Sequence, residues 1–138
     1  MKNLLIAIVL IALLSPQVEA ISPRAIKSCV SGLHNSKELR VAARRKAYHM
    51  DRYNYWSHKW EGENISFKAR KKYKKMGEVL AIGHKSMKEV CDAWFASPTH
   101  REVLTTPIYN EYGLYIKQVE IGKRKGWLVV LLVGKRKM

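Results

Sequence analysis

The run from Trp127 to Val133 constrains the fold most, because it is nearly continuous in apolar residues and only of strand length. A strand without polar alternation is buried on both faces, so the chain must lay cover on each side of it. The run is also too short to cross a bilayer, which takes roughly 20 apolar residues. Before it, Gly122 to Gly126 forms a glycine-bounded basic turn, and Tyr112 to Ile121 is rich in aromatic and branched residues. These two stretches and the turn read as a hairpin. Gly77 to Ile82 reads as a third strand.

Helical periodicity supplies the cover. Leu39, Ala43, Ala47 and Met50 recur at helical intervals, which predicts a helix from about Ser36 to Arg52 with Arg40, Arg44 and Arg45 on its other faces. Ser66 to about Lys75 predicts a shorter, lysine-rich surface helix. Ser86 followed by Glu89 has the form of a capping box opening a helix with Val90, Cys91 and Trp94 on its apolar face. Ser97 followed by Pro98 starts another, running to about Leu104, with His100 in its first turn. There are no repeats or low-complexity linkers. The expected fold class is α+β: one domain with a small, mainly antiparallel sheet covered by helices on both faces.

The first twenty residues have the form of a cleavable secretory leader. Lys2 precedes an apolar segment from Leu4 to Leu14, Ser15 and Pro16 break it, and Val18-Glu19-Ala20 offers a small-x-small cleavage site. The expected division is therefore 1–20 signal peptide and 21–138 mature domain, with no transmembrane anchor in the mature chain and a secreted or periplasmic location. A membrane anchor is the alternative, against which the shortness of the apolar segment counts. Two cysteines, Cys29 and Cys91, suit a disulfide in an oxidising compartment, with a pair of buried free thiols as the alternative.

Leader removal takes away one Lys and one Glu, so the formal charge of +15 is carried by the mature chain. Basic residues run through Arg44 to Lys46, Lys68 to Lys75, Lys123 to Lys125 and Lys135 to Lys137. Such a field attracts an anionic envelope polymer, lipid headgroups or another polyanion such as extracellular nucleic acid. A solvated face serving solubility is the bland reading. The chain is expected to be a monomer.

Four blocks carry a family resemblance: Tyr55-Trp56-Ser57-His58; Gly77 to Gly83; Trp94 to Arg101 with Leu104; and Tyr112-Gly113-Leu114. Their order and spacing resemble the bacterial-type SCP domain of the CAP superfamily, which includes cysteine-rich secretory proteins, antigen 5 and pathogenesis-related class 1 proteins. The resemblance implies an α-β-α sandwich with an open cleft where histidines and acidic residues meet. It also implies that a divalent metal, such as zinc, is held there. Three departures stand out. The glycine-glutamate-asparagine signature appears as Gly77-Glu78-Val79, while an intact Gly62-Glu63-Asn64 lies earlier. The histidine-tyrosine-threonine-glutamine block is replaced by Gly126 to Val129. The segment before Leu33 is too short for the family's first helix, so Leu33-His34-Asn35 begins the next one.

His58, Glu78 and His100 are chemically suited to share a cation, since imidazole and carboxylate are ordinary zinc ligands. Glu63 is the competitor for the cleft glutamate, although the Leu80-Ala81-x-Gly83 continuation assigns the family position to Glu78. The alternative is a hydrogen-bonded polar cluster lining a cleft. His34, His49 and His84 read as surface residues. No acidic residue completes a triad with Ser97 and His100, and Cys91 and Trp94 read as core. The expectation is an exported CAP-type binding protein with a His/Glu-lined cleft and a basic surface, acting at the cell envelope or a host surface. Two alternatives stand beside it: a metal-assisted hydrolase acting on peptide or envelope material, and a cationic polyanion-binding protein.

Overall fold

The computed structural model describes residues 21–138, so the leader lies outside the described residues. The hairpin is present and longer than its apolar run. β3 (Glu111–Ile121) and β4 (Arg124–Arg136) pair antiparallel around Gly122, which adopts φ 57°. β2 (Tyr73–Ile82) pairs antiparallel with the other side of β4, and a two-residue β1 (His34–Asn35) pairs parallel with β3. The sheet order is β1-β3-β4-β2, which places the apolar run in an inner strand and leaves β2 at an edge.

Alternation along β4 then builds two cores. Val129, Leu131 and Val133 face a layer containing Met87, Val90 and Trp94. Leu128, Val130 and Leu132 face the opposite layer, with Leu39, Ala43, Ala47 and Met50. The second layer is α1 (Lys37–Tyr53), capped by the Ser36 hydroxyl accepting from Leu39 N–H at 3.2 Å and closed by Asn54 in the left-handed region at φ 51°. The first layer holds α2 (Met87–Ala96), α3 (Pro98–Thr105) and a 3-10 helix, Pro23–Ser28, that no sequence signal had suggested. The result is the expected α-β-α sandwich around a mainly antiparallel sheet.

Cys29 and Cys91 are joined in a disulfide, their Cα atoms 5.6 Å apart, which ties the N-terminal 3-10 helix to α2. Trp94 is core, and its indole N–H donates to the Leu80 carbonyl at 2.9 Å.

Local readings change in four places. The helix expected over Ser66 to Lys75 is a 3-10 helix, Ile65–Lys72, followed directly by β2. Tyr73 causes the break: it is buried, its hydroxyl lies 2.7 Å from Ser36 Oγ, and it pairs with Arg136 in the ladder. Leu33-His34-Asn35 does not begin a helix, because His34 and Asn35 pair with Glu111 and Tyr112 before Ser36 caps α1. Ser86 caps α2 as expected, but Glu89 reaches back to the Lys85 N–H, at 2.9 Å, rather than to Ser86. Ser97 holds the N-cap position of α3 without a side-chain capping bond.

Candidate functional site

The site forms where β2, as an edge strand, meets the loop after α1. His58 lies on that loop and Glu78 on β2, with its side chain toward the α1 layer. Against a carboxylate the His58 Nδ1 carries the proton, and it donates to Glu78 Oε1 at 2.9 Å. Asn64 Nδ2 donates to the same oxygen at 3.3 Å, and the Ser66 hydroxyl donates to Oε2. Asn64 is also the N-cap of the 3-10 helix, its Oδ1 accepting from Ser66 N–H at 2.9 Å. One asparagine thereby fixes both the helix start and the carboxylate.

Beneath the carboxylate lies Lys46. Its side chain is wholly buried, with Nζ 3.8 Å from Glu78 Oε1 and donating to the His58 carbonyl at 2.7 Å. Burial pushes this ammonium below the ordinary lysine range, and the Glu78 charge pushes it back up. Sequence reasoning had placed Lys46 in a basic surface run, and that is corrected here. The signal was present, because 46 follows Ala42 and Ala43 at helical spacing and precedes Met50 by four, so it shares the apolar stripe of α1. Asn64 and Ser66 were also missed.

Above the pair opens a cleft of about 640 Å³, lined by His58, Glu78, Glu63, Asn64 and Phe67, with Lys59, Lys68 and Arg70 among the wall residues. The two glutamates are placed differently. Glu78 is buried at the floor, whereas Glu63 is exposed and, among the described residues, makes only backbone bonds, to Trp60. The His58 side chain is half exposed, at 51%, and lines the cleft while its Nδ1 is held by Glu78.

His100 reaches the region from the opposite layer, in the first turn of α3, and is not among the cleft-lining residues. Its Nδ1 is buried without a hydrogen-bond partner among the described residues. Burial lowers its pKa, and the nearby His58 charge lowers it further, so the ring is neutral at physiological pH. Of the remaining histidines, His34 is exposed and His84 half-buried. His49 is not a plain surface residue: it packs against Tyr53, Tyr55 and Trp60, and its Nδ1 lies 3.0 Å from the Tyr55 hydroxyl.

A shared cation on His58, Glu78 and His100 does not match this donor arrangement. Both Glu78 oxygens already accept from His58, Asn64 and Ser66, and an ammonium lies behind them. Among the described residues no three His, Cys, Asp or Glu side chains are grouped to hold a metal. What the geometry offers is two imidazoles, one of them oriented by a carboxylate as an outer partner.

The family model for the cysteine-rich secretory protein family, CAP, matches residues 26–132. No match is found among curated proteins. Among solved structures, an outer surface protein of Borrelia burgdorferi superposes with a TM-score of 0.67 at 24% identity, over 80% of this chain and 83% of its own. An extracellular SCP-domain protein of Bacillus anthracis gives 0.60 at 16% identity, over 75% of this chain and 34% of its own. A cysteine-rich secretory protein of Staphylococcus aureus gives 0.56 at 15%, over 82% and 35%.

Proposed function

The chain belongs to the cysteine-rich secretory protein family, CAP, and from that premise we propose that it is an exported binding protein whose His58/Glu78 cleft takes a ligand at the cell envelope or a host surface. The observation that carries this reading is the pairing of a half-exposed His58 with a buried, multiply hydrogen-bonded Glu78 on the floor of the cleft. Such a carboxylate is a fixed orienting group, and the imidazole it orients is half exposed in the lining of the cleft. Lys59, Lys68 and Arg70 in the wall favour a ligand carrying negative charge. A disulfide fits an oxidising compartment, and of the similar structures one is an outer surface protein and another an extracellular protein. The basic surface docks the protein to anionic material.

Were a divalent cation such as zinc to enter the cleft, His58 and His100 are the residues left to meet it, with Glu78 orienting His58 from behind and the remaining ligands coming from outside the chain. When bound, it would supply Lewis acidity to the cleft. The test is calorimetric titration with zinc chloride, together with binding of labelled protein to envelope preparations, for wild type, His58→Ala and His100→Ala. Loss of both responses in folded variants supports the cleft. Wild-type behaviour of both variants rejects it.

The hydrolase reading rests on one observation, the oriented His58 imidazole, which is how a general base is held. Turnover of peptide or envelope substrates that vanishes in His58→Ala would favour it over simple binding.

A further inference from the structure

A second groove, of about 470 Å³, runs between α1 and the 3-10 helix Ile65–Lys72. Its two walls differ in chemistry from the cleft. The floor is aliphatic, made by Val41, Ala42 and Ala69, and Val41 is 47% exposed in the middle of an otherwise charged helix face. Among the described residues the rim carries Lys37, Arg45, Lys68, Lys71 and Lys72 against a single acid, Glu38. Glu38 is already engaged by Lys72 at 3.3 Å and Arg136 at 3.2 Å. Among the described residues Lys37, Arg45, Lys68 and Lys71 have no acidic partner within salt-bridge distance. More cations gather at the same end of the sheet, where Lys75 pairs with Lys135 and the Lys137 N–H donates to the Lys72 carbonyl.

We propose that this groove docks the protein on an anionic lipid surface, an inference that rests on the basic-surface part of the function proposed above. Unpaired lysines and an arginine around the rim take headgroup phosphates as charge-assisted donors. Val41 and the half-buried Ala69 cover the apolar atoms just below the headgroup. The floor decides among polyanions. No aromatic ring lines the groove, so the bases of a single-stranded nucleic acid would find nothing to stack on. A sugar polymer would leave the exposed Val41 uncovered by any apolar group. An anionic amphiphile satisfies both the rim and the floor.

The experiment is co-sedimentation of the mature protein with phosphatidylglycerol-containing vesicles and with vesicles of phosphatidylcholine alone, over a range of salt. Binding should require the anionic lipid. Arg45→Gln and Lys71→Gln should each weaken it about fivefold, the effect of one basic residue at an anionic surface. Val41→Asn should also weaken it, and should remove the part of the binding that resists salt. Lys123→Gln, in the exposed β3–β4 turn at the other end of the hairpin, is the control and should bind like wild type. Equal losses from Lys123→Gln and Lys71→Gln would overturn the groove while leaving diffuse anionic docking intact. An unchanged Val41→Asn would overturn the lipid assignment in favour of a charge-only polyanion. No binding to any anionic vesicle or to polyphosphate would remove the basic-surface reading as well.

Discussion

Lys46 Nζ lies 3.8 Å from Glu78 Oε1, with both side chains almost completely withdrawn from solvent. The cleft carboxylate is thus half of a buried ion pair whose other half is part of the α1 core. Removing one member of such a pair strands the other. Glu78→Gln is therefore expected to cost about 3 to 5 kcal/mol of stability, read as a lower urea midpoint at unchanged m. Lys46→Met combined with Glu78→Leu should recover most of that, because apolar replacement of both partners is often neutral. A loss below about 1 kcal/mol for Glu78→Gln would show that Lys46 reaches water.

Acid should loosen the molecule at one corner. Glu38 is held down to about 2 by its backbone hydrogen bond, then by Lys72, with Arg136 adding to the effect. Glu111 is lowered first by its hydrogen bond from Arg136, at 2.8 Å from Nε. A carboxyl lowered in the folded state contributes stability that is fully present above its unfolded pKa and is lost as pH falls through the folded one. Melting temperature should accordingly fall from about pH 5 down toward pH 2. Arg136→Met should flatten that slope. A profile unaffected by Arg136→Met would reject the network as its source.

Reduction of Cys29–Cys91 opens a loop closed across a sequence separation of 62. Chain entropy gives such a bond roughly 4 kcal/mol. The double serine variant should lose stability of that order, and non-reducing peptide maps of protein recovered without reductant should show the two peptides joined. Free thiols in that material would refute the bond.

Gly113 lies under α1, where an added Cβ would meet the backbone of Leu39 and Arg40. Neither neighbour is a flexible side-chain end that could swing away. Gly113→Ala should destabilise by about 3 kcal/mol, the upper end of the usual cost of overpacking, measured by chemical denaturation. Near-wild-type stability would mean that α1 can lift off β3.

Export is checked at the N-terminus. Cleavage after Ala20 exposes Ile21, which is buried in the core beneath α2. Mass spectrometry of extracellular or periplasmic protein should find Ile21 first. Material retaining Met1 would contradict the leader.

Much of the architecture was legible in the order of residues because its causes are local or periodic. The unbroken run from Trp127 to Val133 demanded cover on both faces, and the 3.6-residue recurrence of Leu39, Ala43, Ala47 and Met50 identified one of the covers. Ser86 and Pro98 marked helix starts through the backbone groups they satisfy or lack. His58 and Glu78 could be named as candidates for the same reason that their blocks could be matched. Tertiary structure alone decided that Glu78 meets Lys46, Asn64 and Ser66, since those contacts depend on how α1, a 3-10 helix and an edge strand converge. It also decided that Lys46 is core rather than surface and that Tyr73 begins a strand. A lysine's composition does not reveal whether a carboxylate will be waiting for it in the interior. The balance between desolvation and pairing is set only once both elements are packed.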